Sequence, residues 1–328
     1  MGVGAALVLG ACGSPAASTG TTTTTGVAAP SAAVVGGDPL TLRTPQGEVH
    51  GAMVAGTRAF EGIPFAAPPV GLLRWQAPHP AAHWSSTLQA TRVSSPCPQI
   101  VPVVNSYEGS EDCLYANVYA PPAVPTTARP VLVWIYGGGF QVGSSGDDSV
   151  ANYAASHGMV SVSFNYRLGS LGFLALPSLA AEDPAHATGN LGLEDQQAAL
   201  RWVRANIAAY GGDPGRVTIY GESAGGISVC AQLVSPGSAG LFRAAITEPE
   251  PGRVLVETDL DSNGAVTTFT VDHGTAPADS RVTISTELPL RSGFLGYIER
   301  NLSTLLLRPM YVKELQNLAR VATGPFGV

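Results

Sequence analysis

Apolar and polar residues alternate in blocks along this chain, and the blocks change character near residue 250. Val131-Leu-Val-Trp-Ile-Tyr136 is a continuous apolar run. Such a run marks a strand covered on both faces, and therefore a parallel sheet. Leu114 to Tyr119 alternates as a strand and stops at Pro121-Pro122. Val160 to Phe164 is a further strand. From Glu194 to Tyr210, Ala198, Leu200, Trp202, Val203 and Ile207 give one apolar helical face, and Gly211-Gly212 stops it. Val217-Thr-Ile-Tyr220 is the next strand, and Gly226 to Val234 reads as the first turns of a buried helix. Earlier, Thr44 to Gly51 reads as a turn between short strands. Phe60 to Gly71 is too rich in proline for a regular element and predicts a surface-hugging loop, docked by Leu73-Arg-Trp75. Strand, crossover, strand, helix, strand predicts an α/β fold wound on a mainly parallel sheet.

The two ends differ from this middle. Gly13 to Pro39 is Ser, Thr, Ala, Gly and Pro, with a threonine run from Thr21 to Thr25. That composition cannot bury enough apolar surface to order itself and reads as a tether. After Glu248-Pro-Glu-Pro-Gly252 the pattern alternates from Arg253. Arg253 to Leu260 predicts a strand, Asp261-Ser-Asn-Gly264 a hairpin turn, Ala265 to Asp272 a second strand and Arg281 to Leu288 a third. A long amphipathic helix, interrupted near Pro309, is expected from about Ser292 to Ala322.

Chemistry enters at Gly221-Glu-Ser-Ala-Gly225. A serine between two glycines, where a strand runs into a helix, is a nucleophile elbow. The turn is tight enough that side chains at Gly221 and Gly225 would collide with neighbours. The Ser223 hydroxyl is lifted clear of the sheet at the positive end of a helix. Gly137-Gly138-Gly139, at the end of an earlier strand, can present bare backbone N–H groups to an oxygen that becomes negative during acyl transfer.

Composition narrows the partners. Charged residues make up 12% of the 328, and the formal charge is -7, which argues against nucleic acid. No cysteine pair has metal-site spacing, so neither a metal nor another cofactor is expected. Leu7-Val-Leu-Gly-Ala-Cys12 has the form of a lipobox, with Cys12 as the lipidated residue, although no Lys or Arg precedes the apolar run. It predicts a secreted protein held at a bacterial surface, touching membrane only through that anchor. A bridge between Cys97 and Cys113 would close a loop of about 16 residues, and Cys230 reads as a buried free thiol.

The segment from about Leu40 to Thr247 resembles the type-B carboxylesterases, the group that includes cholinesterases and bacterial nitrobenzyl esterases. The motifs are Phe60-Glu-Gly-Ile-Pro-Phe65 with Pro68-Pro-Val-Gly71, Glu111-Asp-Cys-Leu-Tyr-Ala-Asn-Val-Tyr119 and Trp134-Ile-Tyr-Gly-Gly-Gly-Phe140. Asn165-Tyr-Arg-Leu-Gly169, Gly189 to Val203 and Tyr210 to Gly225 complete them. The resemblance implies a truncated α/β-hydrolase fold acting on a small carboxylic ester. It implies Ser223 as nucleophile, the N–H groups of Gly138, Gly139 and Ala224 as oxyanion hole, and Cys97–Cys113 as a disulfide. Arg74 with Glu111, and Arg167 with Asp195, match pairs that brace loops around the site. Glu222 abuts the nucleophile as a near-site carboxylate.

The hydrolase order is serine, then acid, then histidine. His273, beside Gly274, is the only histidine after Ser223, while His50, His79, His83, His157 and His186 precede it. On that inventory the polypeptide is expected to be weakly active or inactive, because a serine without a base is a weak nucleophile. The tail, with phrases such as Arg281-Val-Thr-Ile-Ser-Thr-Glu-Leu-Pro289, resembles the end of a helix-grip domain of the START and polyketide-cyclase type. Two other functions stay open at this point: a non-catalytic surface lipoprotein on a hydrolase scaffold, and a carrier of hydrophobic ligands through the tail.

Overall fold

The computed structural model describes residues 34–101, 106–146, 157–182, 188–250, 254–259, 265–272 and 281–287. They divide into two units, Met1–Pro249 and Glu250–Val328. The lipobox with Cys12 and the helix expected from residue 292 lie outside the described residues. Strand structure begins at Val34, inside the stretch read as tether.

In the first unit the strands are β1 (Val34–Val35), β2 (Asp38–Thr44), β3 (Gly47–His50), β4 (Ala52–Val54), β5 (Thr57–Pro64), β6 (Leu88–Gln89), β7 (Gln99–Val101) and β8 (Ser106–Glu108). They continue as β9 (Tyr115–Ala120), β10 (Arg129–Ile135), β11 (Val160–Phe164), β12 (Gly212–Glu222) and β13 (Ala244–Glu250). The helices are α1 (Gly169–Phe173), α2 (Pro177–Glu182), α3 (Leu191–Asn206) and α4 (Ala224–Val234). A small sheet has the order β1-β2-β3-β6, and β7 pairs with β8. The main sheet of this unit runs β13-β12-β10-β11-β9-β5-β4.

The main sheet is mixed. β11, β10, β12 and β13 pair in parallel, whereas β9, β5 and β4 add antiparallel strands beyond β11. Val131, Val133 and Ile135 of β10, all of β11, and Val217 and Ile219 of β12 are buried. That is the burial expected of strands covered on both faces. The chain goes from β10 to β11 on one side, then returns through α3 to β12 on the other. Strand order therefore reverses at β10, and the carboxyl ends of β10 and β12 lie side by side. Open α/β sheets hold ligands at such a switch point.

Two sequence expectations need correction. Residues 60–64 are the second half of β5 rather than loop, and Phe60 and Ile63 are fully buried. The strand survives its glycine because the register breaks between Phe60 and Ile63, where Gly62 has φ 74. Its proline stands at the last position, where no ladder hydrogen bond need be lost. The expected helix ending at Tyr210 is α3 to Asn206, then a 3-10 turn over Ile207–Tyr210. Gly211, with φ 92, terminates it in the left-handed conformation that favours glycine.

The second unit contains β14 (Val254–Asp259), β15 (Ala265–Asp272) and β16 (Arg281–Glu287). β15 is antiparallel to both others, with Asp259 opposite Ala265 and Asp272 opposite Arg281. The three alternating runs thus form an antiparallel meander.

Candidate active site

β12 delivers the chain into a turn that only particular residues tolerate. Ser223 has φ 55 and ψ -122, and α4 begins at the next residue. A non-glycine residue in such a conformation costs about 1–3 kcal/mol and persists only where its surroundings enforce it. Here the enforcement is steric. A Cβ on Gly225 would lie 2.0 Å from the Ile135 carbonyl oxygen, and one on Gly221 would lie 2.5 Å from the Gly225 carbonyl carbon. Strand β12, helix α4 and strand β10 therefore touch backbone to backbone. Ser223 and Glu222 are left exposed, with Ala224 buried beneath. The Ser223 carbonyl accepts the first helical bond, from the Ile227 N–H at 3.0 Å.

The triple-glycine loop meets this turn. A Cβ on Gly137 would lie 2.7 Å from the Glu222 carbonyl oxygen and 3.2 Å from Ser223 Cβ. Gly138 has φ 99, and a Cβ there would strike the Val142 carbonyl oxygen at 2.1 Å. The loop turns back on itself, with Gln141 and Val142 N–H donating to the Gly138 carbonyl at 3.0 and 3.2 Å. Gly138 and Gly139 are exposed beside the serine. The structure thus brings together the elbow and the glycine loop, which sequence places about 80 residues apart.

Buried polar contacts hold both parts. Arg167, behind the loop, forms a fork on Asp195 of α3: Nε and Nη2 donate at 2.8 Å each, and the Arg167 N–H at 3.0 Å. Burial pushes the Asp195 carboxyl upward, and the guanidinium pulls against it. Arg74 makes the same two-pronged contact with Glu111, at 2.6 and 2.7 Å, but near the surface. Helix α4 is tied to α3 by Gln232, which donates to Gln196 Oε1 at 2.9 Å, while Gln196 donates to Ser228 at 2.9 Å. Asn117 bridges β9 to Ser145 and Ser163 at 3.0 and 3.2 Å. Sequence reasoning missed these amides. Their one local signal is an uncharged amide inside an otherwise apolar strand or helix face.

Cys97 and Cys113 are joined as a disulfide, with Cα atoms 5.1 Å apart. Cys230 corrects the expectation of a buried free thiol. It lies half-buried on α4 and is not free. Among the described histidines, His50 is held by Thr41 at 2.8 Å and Asp38 at 3.5 Å in the small sheet. His79, His83 and His157 are exposed. None hydrogen-bonds Ser223. His186 and His273 lie outside the described residues. No cluster of three potential metal ligands occurs among the described residues.

An elbow serine facing a glycine loop, at the carboxyl ends of adjacent parallel strands, defines an α/β-hydrolase. The sequence profile of the carboxylesterase family matches residues 38–273, and the chain belongs to that family. The match continues past Thr247, where the legible motifs stop. The chain is 42% identical over 253 residues to the para-nitrobenzyl esterase of Bacillus subtilis, covering 75% of this chain and 51% of that protein. It is 44% identical over 223 residues to the fumonisin B1 esterase of Sphingopyxis macrogoltabida, covering 66% and 40%. A solved PNB esterase superposes with a TM-score of 0.58 at 44% identity, over 63% of this chain and 43% of the other. The chain spans about half the length, or less, of these relatives.

Proposed function

We propose that this chain carries the nucleophile and oxyanion side of a serine carboxylic ester hydrolase. The observation that carries the reading is the φ 55 conformation of Ser223 beside Gly137. Ser223 Oγ attacks the ester carbonyl carbon, and the carbonyl electron pair moves onto oxygen. The N–H groups of Gly138, Gly139 and Ala224 receive that charge. Collapse breaks the bond to the alcohol, which leaves with a proton, and water then attacks the acyl-serine and releases the acid. Donors fixed in advance around a developing oxyanion lower the barrier by about 3–4 kcal/mol each.

None of the described histidines hydrogen-bonds Ser223, and His186 and His273 lie outside the described residues. The hydrolase order calls for an acid and then a histidine after the serine, and His273 is the one histidine there, so we propose weak turnover. An oxyanion hole and binding alone leave roughly 10³–10⁴-fold catalysis over water. Names of the relatives support small esters as substrates: para-nitrobenzyl esters in one and fumonisin B1 in another. Export and lipidation at Cys12 remain part of the proposal. The Cys97–Cys113 bridge supports an oxidising compartment, and mass spectrometry of the Cys12 peptide tests the anchor. Function is tested by hydrolysis of a short-chain p-nitrophenyl ester. Slow release that vanishes in Ser223→Ala supports the whole reading. Fast turnover lost in Ser223→Ala refutes the weak-activity part, and an equal rate in both proteins refutes the nucleophile.

A further inference from the structure

The glycine loop is held at both ends by side chains that take no part in the chemistry described above. At its start, Tyr136 and Tyr166 are fully buried, with rings stacked at 4.3 Å. Tyr166 Oη donates to the Tyr136 carbonyl at 2.8 Å, and Tyr136 Oη donates to the Tyr166 carbonyl at 3.0 Å. The Tyr136 carbonyl belongs to the peptide unit that enters Gly137. Fixing it fixes the plane from which the loop departs. Tyr166 is itself anchored, since the next residue is Arg167, clamped on Asp195.

At the other end, the buried side chain of Gln99 pairs with one backbone residue as a strand would. The Gly143 N–H donates to Gln99 Oε1 at 2.8 Å, and Gln99 Nε2 donates to the Gly143 carbonyl at 3.1 Å. Gln99 Nε2 also reaches the carbonyl of Cys97 at 3.3 Å, so this clamp is built on the disulfide loop. Between the ends, the Gly169 N–H donates to the Phe140 carbonyl at 2.7 Å. Gly138 and Gly139 have φ 99 and φ 62 and no side chains of their own to hold them. Their N–H directions therefore depend on these outer contacts together with the turn closed on the Gly138 carbonyl.

We propose that Gln99 and Tyr166 are positioning residues for the oxyanion loop, and that Gln99 couples the loop to the Cys97–Cys113 disulfide. The proposal rests on the reading of residues 137–139 as that loop. Without either clamp the loop still exists, but its N–H groups sample directions other than the productive one. Misplacement by about 1 Å is enough to lose roughly 100-fold in rate.

The test compares wild type with Gln99→Met, which keeps volume and removes both hydrogen bonds to Gly143, and Tyr166→Phe, which removes one hydroxyl. Hydrogen exchange read by mass spectrometry on peptides covering 137–143 reports the clamp independently of activity. We expect exchange about ten-fold faster there in both variants, with peptides of α3 unchanged. Saturable labelling by a fluorophosphonate reports the consequence. The limiting rate should fall about ten-fold or more, while the half-saturating probe concentration stays within about two-fold. A purely structural role would shift exchange across the domain, or leave the limiting rate alone. Unchanged exchange at 137–143 in a folded Tyr166→Phe protein overturns the proposal, even if Gln99→Met fails to fold. If wild type takes no label at all, the hydrolase reading fails and exchange alone decides the clamp.

Discussion

Gly225→Ala puts one methyl group into the contact between elbow and sheet. The added carbon would stand 2.0 Å from the Ile135 carbonyl oxygen and 2.9 Å from its carbon. Favourable non-bonded separations are roughly 3.5 Å, so α4 or the end of β10 must move by on the order of 1 Å. Either motion changes the geometry of Ser223 against the loop that starts two residues after Ile135. Overpacking of this kind costs about 1–3 kcal/mol. For a domain of this size that lowers the melting temperature by roughly 2–12 °C. The rate of Ser223 modification should fall further than stability does, by about 100-fold. Gly56→Ala is the control: φ is also positive there, at 76, but nothing lies within 4 Å. Its cost is the left-handed backbone alone, about 1–2 kcal/mol, with no effect on Ser223. Thermal melting and time-resolved fluorophosphonate labelling measure both quantities. A Gly225→Ala protein that melts and labels like wild type would refute the account of why glycine stands there.

The remaining predictions concern the frame. Arg167→Ala leaves the Asp195 carboxylate buried without its partner and should cost about 3–5 kcal/mol in urea denaturation, whereas Arg74→Ala, near the surface, should cost about 1 kcal/mol or less. Replacing both Cys97 and Cys113 by serine should cost about 3 kcal/mol, read the same way under non-reducing conditions. Burial, with the Asp112 hydrogen bond, pushes the Tyr115 hydroxyl up to about 12. The neutral form is thus favoured by folding. Its contribution is complete below the unfolded value of about 10 and is lost as pH rises through about 12. Stability of wild type should therefore fall more steeply than that of Tyr115→Phe across that window, and parallel curves would contradict the assignment.

The elbow and the glycine loop could be read before any coordinates because each is a local device. Gly221, Ser223 and Gly225 encode one turn within five residues, and the strand and helix around it follow from hydrophobic period. The parallel core was legible for the same reason, since Val131 to Tyr136 announces burial on both faces. The second half of β5 was not, because three prolines in the twelve residues from Phe60 to Gly71 outweighed a strand that places its first one at the terminal position. Gln99 was illegible in principle. Its partner lies 44 residues away, and neither residue has an unusual neighbour in sequence. In the second unit the meander was legible by alternation alone, whereas resemblance to a helix-grip domain speaks to a fold of which these strands are a small part.

On the proposed reading, Ser223 is raised towards the glycine loop as an acyl-accepting nucleophile. The most direct test is incubation with a fluorophosphonate, digestion, and tandem mass spectrometry of the peptide containing residue 223. A phosphonyl adduct on Ser223, formed slowly, is expected, and none on Ser223→Ala protein. No adduct after prolonged incubation of folded protein, or equal labelling of both proteins at another serine, would contradict it.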